Sequence, residues 1–158
     1  MLPALLISCL RKNDWDVKSE YKPLLMPYDQ LQNSVAFKEK RELKDPGKIY
    51  YNGGYIFVNE RYKGVHVINN QDPANPQNIG FIQVPGCLDM AMKGNVLYVD
   101  NAIDLVTIDL SDPANPQVSS RTKGVFRETT PPDGGTLGTE YTKENRPANT
   151  VIVEWVKI

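Results

Sequence analysis

The chain has 158 residues, 41% of them hydrophobic, with 18 Lys+Arg against 19 Asp+Glu and a formal charge of −1. That is one domain's worth of chain, and its even charge balance lacks the basic stripe of a nucleic-acid-binding surface. A single histidine and two cysteines exclude a Cys/His zinc cluster.

Residues 1–9 read MLPALLISC, an uncharged apolar run ending in Cys9. The run is too short to span a bilayer, which takes about 20 residues. Leu6-Ile7-Ser8-Cys9 has the pattern that ends a lipoprotein signal, so this segment is expected to be a truncated signal with Cys9 as the lipidated residue. The alternative is an apolar N-terminal strand carrying a small buried cysteine. Residues 10–30 are polar, with Trp15, Tyr21 and Tyr28 interspersed and charges alternating in sign, and are expected to form a tether. A β-repeat domain is expected over 31–158. Its first strand is expected to be Leu31–Glu39, where Val35 and Phe37 alternate with polar or small neighbours, as the outer strand of an incomplete first unit. Arg41–Asp45 is a charged turn.

The most informative stretch follows. DPANPQ occurs at Asp72–Gln77 and again at Asp112–Gln117, forty residues on. Aligned back from these strings, Val65–Asn69 matches Leu105–Asp109. With one residue gained or lost between, Tyr55–Asn59 matches Val96–Asp100. All four runs are rich in β-branched and aromatic residues and bounded by turns, which reads as strand. Asn52-Gly53-Gly54 and Lys93-Gly94-Asn95 precede them, with glycine supplying the positive φ that tight hairpins use. Each repeat, about 47–84 and 86–123, is therefore expected to hold four strands. Strand a is Gly47–Tyr51 or Cys87–Met92, b is Tyr55–Asn59 or Val96–Asp100, c is Val65–Asn69 or Leu105–Asp109, and d is Ile79–Val84 or Val118–Lys123. DPANP is the c–d turn, because proline fixes its own φ and holds its predecessor extended.

A four-stranded unit with a period near forty is the signature of a propeller blade. Two units are too few for a closed ring. The expected fold class is therefore all-β, with two four-stranded antiparallel propeller-like blades and flanking strands, incomplete or completed by oligomerisation. The C-terminal part, 124–158, is expected as a long loop over Arg127–Thr142 followed by a terminal strand within Asn145–Ile158 that completes a sheet or closes an edge.

No catalytic constellation accompanies the repeats. The chain contains no phosphate-cradling glycine loop or dinucleotide fingerprint and no carboxylate-rich calcium loop. His66 lies mid-strand where the second repeat has Val106, so a satisfied or surface-facing histidine is expected there. Cys87, on strand a, is expected buried and free, with a disulfide to Cys9 as the alternative. The site candidates are positional. In a propeller, strand a lines the central channel, which places Tyr50, Asp89 or Met90 near it. The b–c loop places Glu60, Arg61 and Tyr62 on a rim where binding loops gather. Exposed aromatic and arginine side chains are the usual anchors of interfaces.

These repeats resemble the LVIVD-repeat family of exported bacterial lipoproteins. The likeness is carried by Val96-Leu97-Tyr98-Val99-Asp100, by Leu105–Pro113 with Asn115-Pro116, and more loosely by Tyr55–Asn59 with Gly64–Pro76. The first copy departs from the family pattern at Asn69 and at Asn70-Gln71; the second has Asp104 where the pattern has glycine. The resemblance covers about Gly47–Lys123. It implies propeller-like repeats and export in Gram-negative, Bacteroides-like cells, and brings no catalytic residues with it. The expected function is a non-enzymatic binding or scaffolding module of the cell envelope. It would hold no cofactor or metal, bind a protein or glycan, self-associate, and touch the membrane only through the lipid on Cys9. One alternative is a hydrolase- or lyase-like propeller with Asp89, Glu60 and Arg61 at a subunit interface. Another is a structural fragment of a larger β-propeller.

Overall fold

The structure, a computed structural model, describes residues 17–158. The signal-like segment with Cys9 and the start of the expected tether lie outside the described residues. The fold is all-β, with three antiparallel sheets. The first repeat supplies β3 (Pro46–Asn52), β4 (Tyr55–Glu60), β5 (Gly64–Asn69) and β6 (Gln77–Gln83). The second supplies β7 (Met90–Lys93), β8 (Val96–Asn101), β9 (Asp104–Asp109) and β10 (Gln117–Thr122). Within the described residues these sheets close into neither a barrel nor a propeller.

Local chemistry sets the hairpins. Gly53 and Gly54, at φ 58° and 83°, form the two-residue turn between β3 and β4. The DPANP turns share their bonding. In each, the aspartate side chain accepts the backbone N–H of the alanine two residues on, from Ala74 to Asp72 and from Ala114 to Asp112, at 3.1 Å in both copies. In each, the following glutamine donates to the asparagine side chain, Gln77 to Asn75 and Gln117 to Asn115. The residue gained or lost between repeats falls in the b–c loop: Glu60 pairs with Gly64 across three residues, and Asn101 with Asp104 across two.

The sheets stack front to back. The first presents Phe57, Val65, Val67 and Ile82 to Leu97, Val99, Val106 and Ile108 of the second, and these side chains form one buried core. By repeat alignment, Phe57, Val65 and Val67 correspond to Tyr98, Leu105 and Thr107, which lie on the opposite face of the second sheet. Successive repeats therefore meet through unlike faces. Each fully buried aliphatic side chain contributes about 1.5–3 kcal/mol, whereas an exposed ion pair contributes about 0–1 kcal/mol. The core, not the surface charges, holds the stack.

Three expectations are corrected. Within the expected tether, Tyr21–Pro27 is a strand, β1, paired along its length with the C-terminal strand β11 (Thr150–Lys157). Leu31–Glu39 is not one strand: Tyr28–Gln32 forms a short helix, α1, and only Ala36–Lys38 is extended, as β2. β2 adds to the outer edge of β6, so it belongs to the first repeat's sheet and makes that sheet five-stranded. It fits there because Gly80, with no side chain, leaves room for the Phe37 ring.

The β1–β11 ribbon and α1 make a second, smaller core of Leu31, Val151 and Val153 against Met26, Tyr28, Ala102 and Ile103. Ala102 and Ile103 are the b–c loop of the second repeat. Lys63, in the b–c loop of the first, pairs with Glu154 of β11. The ribbon therefore lies across the end of the stack where both b–c loops emerge. Trp155 is buried, with its indole N–H donating to Thr129 Oγ1 at 2.9 Å, which ties the long C-terminal loop to the same lid.

Candidate functional site

The strands a of the two repeats, β3 and β7, run near each other at one side of the stack. Between them lies an open groove of about 540 Å³, lined by Pro46, Gly47, Lys48, Arg61, Tyr62, Leu88 and Asp89. Three of the five expected binding residues, Arg61, Tyr62 and Asp89, meet here. Lys48 Nζ lies 2.6 Å from Asp89 Oδ1, and both side chains are more than half exposed. The bond to Asp89 is the main reason the Lys48 ammonium is held above its ordinary pKa. Arg61 Nε lies 4.0 Å from Asp45 Oδ1. Both ion pairs are solvent-exposed and so worth little, which lets an incoming carboxylate or hydroxyl replace either partner at little cost.

Tyr62 is held from the backbone. It adopts φ 63°, uncommon for a side chain this large. Its N–H donates to Cys87 O at 2.6 Å and its carbonyl accepts from Gly86 N at 3.0 Å. These two bonds staple the first repeat's b–c loop to the start of the second repeat and hold the strained turn. The ring is half-buried, and burial raises its phenol pKa.

Glu60 and Tyr50 lie elsewhere. Glu60 is 2% exposed and sits on the back face of the first sheet. Its Oε2 lies 2.7 Å from His66 Nε2, and its Oε1 accepts from Arg41 Nη2 at 3.2 Å. Arg41 belongs to the charged segment expected as a turn, and this segment straps the back face between β2 and β3, over buried His66, Val58 and Glu60. The Arg41 guanidinium lies 5.0 Å over the Phe81 ring, and its carbonyl accepts from Asn78. His66 is fully buried beside Phe81, so it is the satisfied histidine of the two expected states. Tyr50 pairs with Phe57 and packs against the main core. Met90 is in that core.

Cys87 is free and buried; burial is the main cause that pushes its thiol pKa well up, and Asn59 Nδ2 donates to its sulfur at 3.1 Å. Asp100, the counterpart of Asn59, accepts the Leu88 and Asp89 amides at 2.9 and 2.8 Å. Burial nonetheless raises its pKa.

Two further clusters escape sequence reasoning. Asp104 is fully buried and accepts from the Tyr28 hydroxyl, from Arg121 Nη1 at 2.8 Å and from the Gly124 amide at 2.9 Å. Its only sequence signal was its departure from the glycine of the repeat pattern. Arg146, also buried, bonds Glu128 and the Thr150 carbonyl beside a cavity of about 310 Å³ under the long C-terminal loop. Among the described residues, no cluster of His, Cys, Asp or Glu is placed to hold a metal ion, and no helix is long and apolar enough to cross a membrane. No family model, curated protein or solved structure matches the chain.

Proposed function

We propose that this protein is a non-enzymatic binding or scaffolding module of the cell envelope, anchored through a lipid on Cys9. Its stacked sheets serve as two blades of an incomplete propeller, in the manner of the LVIVD-repeat proteins they resemble, and the groove between β3 and β7 is the contact surface. The observation that carries this reading is the convergence of Lys48, Arg61, Tyr62 and Asp89 in one open groove. The buried charges, by contrast, join one element to another: Glu60 to His66 and Arg41, Asp104 to Arg121, Glu128 to Arg146. A tyrosine beside two exposed cations and a carboxylate offers stacking, donors and acceptors along a shallow trough, which suits an extended polar ligand such as a glycan or a protein segment. The hydrolase- or lyase-like reading needs Glu60 beside Asp89 and Arg61, and Glu60 is turned onto the opposite face of its sheet.

The test uses the full chain. In detergent phase separation the lipidated protein enters the detergent phase and the Cys9→Ser variant stays in the aqueous phase. The purified Cys9→Ser chain co-sediments saturably with cell-envelope preparations. Adding Arg61→Ala and Asp89→Ala weakens that binding about tenfold or more, the loss expected for two interface anchors. Equal binding with and without the groove substitutions overturns the groove assignment. Equal phase partitioning overturns the anchor.

A further inference from the structure

We propose that the protein associates head to tail with copies of itself, the front face of the second sheet in one copy seating on the open strip of the back face of the first sheet in the next. This rests on reading the repeats as stacked blades.

The chain already contains the template. Its one internal sheet–sheet contact joins the front of a first repeat to the back of a second. The repeat register transfers both halves of that contact to the ends of the stack. On the second sheet, Tyr98, Leu105 and Asp100 stand where the first has Phe57, Val65 and Asn59. They line a hollow of about 330 Å³ with Ala91, closed at one side by Phe126, which is 41% exposed. On the first sheet, Ile56 stands where the second has Leu97. Its neighbours across β3, Ile49 and Tyr51, are 65% and 67% exposed. The strap joins β2 to β3 and crosses this face where Val58, Glu60 and His66 are buried, leaving open only the strip of Ile49, Tyr51 and Ile56 toward the Gly53-Gly54 turn.

The two open faces are complementary rather than alike. On the second sheet the open face is a hollow lined by Tyr98, Leu105 and Ala91, with Asp109 and Lys93 both at its edge. On the first sheet the back face instead stands proud, with Ile49 and Tyr51 of β3 65% and 67% exposed. Two hollows brought together by a two-fold axis would leave both unfilled, whereas front-to-back contact seats the exposed Ile49 and Tyr51 of one copy in the hollow of the next. Such a heterologous contact builds rings or filaments rather than isolated dimers.

Light scattering on the Cys9→Ser full chain across a dilution series tests this. The mass is expected to rise with concentration beyond a dimer. Phe126→Arg at the front and Ile49→Asp at the back, both on exposed side chains, each leave a folded monomer, as checked by circular dichroism. Mixing these two variants restores one intact front and one intact back, and yields a dimer that grows no further. A parent chain that stays monomeric, or association that the Ile49→Asp variant leaves unchanged, overturns the proposal. Tyr51→Asp is the second back-face variant if Ile49→Asp fails to fold. Asp89 lines both the groove and the hollow, so envelope binding is read separately by co-sedimentation of the monomeric Phe126→Arg variant with and without Arg61→Ala, which keeps the two proposals distinguishable.

Discussion

Replacing Asp104 with asparagine is expected to lower the unfolding free energy by about 3–5 kcal/mol, the cost of breaking a buried, hydrogen-bonded ion pair. The carboxylate is fully buried and is the shared acceptor for three separate parts of the chain: Tyr28 at the start of α1, Arg121 on β10 and the Gly124 amide beyond it. Arg121 in turn donates to the carbonyls of Leu31 and Gln32 at the end of α1. An amide retains an acceptor for one of these donors but leaves the Arg121 guanidinium, itself 12% exposed, without its counter-charge. Urea unfolding reads the loss as a lower midpoint at unchanged slope. The control is Glu39→Gln, on an exposed carboxylate, for which a change within about 0.5 kcal/mol is expected. Similar midpoints for the two variants would mean that Asp104 does not carry the junction.

Gly64→Ala is expected to cost about 4 kcal/mol or more, placing it among the exceptional single substitutions. Gly64 opens β5 at φ 143°, and a Cβ there would stand 2.0 Å from the Ile82 carbonyl oxygen and 2.8 Å from the Val84 nitrogen. Both obstacles are backbone, so no side chain can turn away to relieve the clash. Gly53→Ala provides the contrast: its φ is also positive, but nothing lies within 4 Å of the added carbon. Its expected cost is the left-handed backbone penalty alone, about 1–2 kcal/mol. Equal losses at the two glycines would remove the clash at Gly64 as the cause. Asp104, the counterpart of Gly64, tolerates a side chain because its b–c loop is one residue shorter.

These two positions also show where the sequence was readable and where it was not. The eight strands of the repeats are legible because each is bounded by local turn chemistry, Gly53-Gly54 or the paired DPANP strings, and each side chain on them alternates with period two. That the two units stack follows from the propeller-like period of forty; which faces meet does not, because Phe57, Val65 and Val67 correspond to Tyr98, Leu105 and Thr107 on the opposite face of the second sheet. The lid was not legible. β1 and β11 lie more than a hundred residues apart, and Tyr21–Pro27, with exposed Lys22 and Leu24 and only Pro23 buried, shows no strand periodicity. Its partner strand was expected, but not what it pairs with. The strap was hidden for a similar reason: Arg41–Asp45 reads as a charged turn, and only the fold shows that Arg41 reaches Glu60 and Phe81.

The groove was partly legible. Repeat alignment placed Arg61 and Tyr62 at a loop and Asp89 at strand a, but could not give the direction of a side chain. Glu60, one residue before Arg61, turns to the other face of the sheet and is lost to the groove. Lys48, never singled out, is gained. Both b–c loops emerge at one end of the stack, where the terminal ribbon lies across them, and the open groove lies at the side of the stack between β3 and β7.

The ribbon is a fixed lid on a single cooperative stack, and amide hydrogen exchange on the full chain tests this most directly. The amides that pair β1 with β11 are expected to exchange within about a factor of ten, or about 1.4 kcal/mol, of those pairing β8 with β9 in the core. Ribbon amides that exchange at unprotected rates while β8 and β9 remain protected would contradict the lid, and would return the b–c loops to the open surface of the protein.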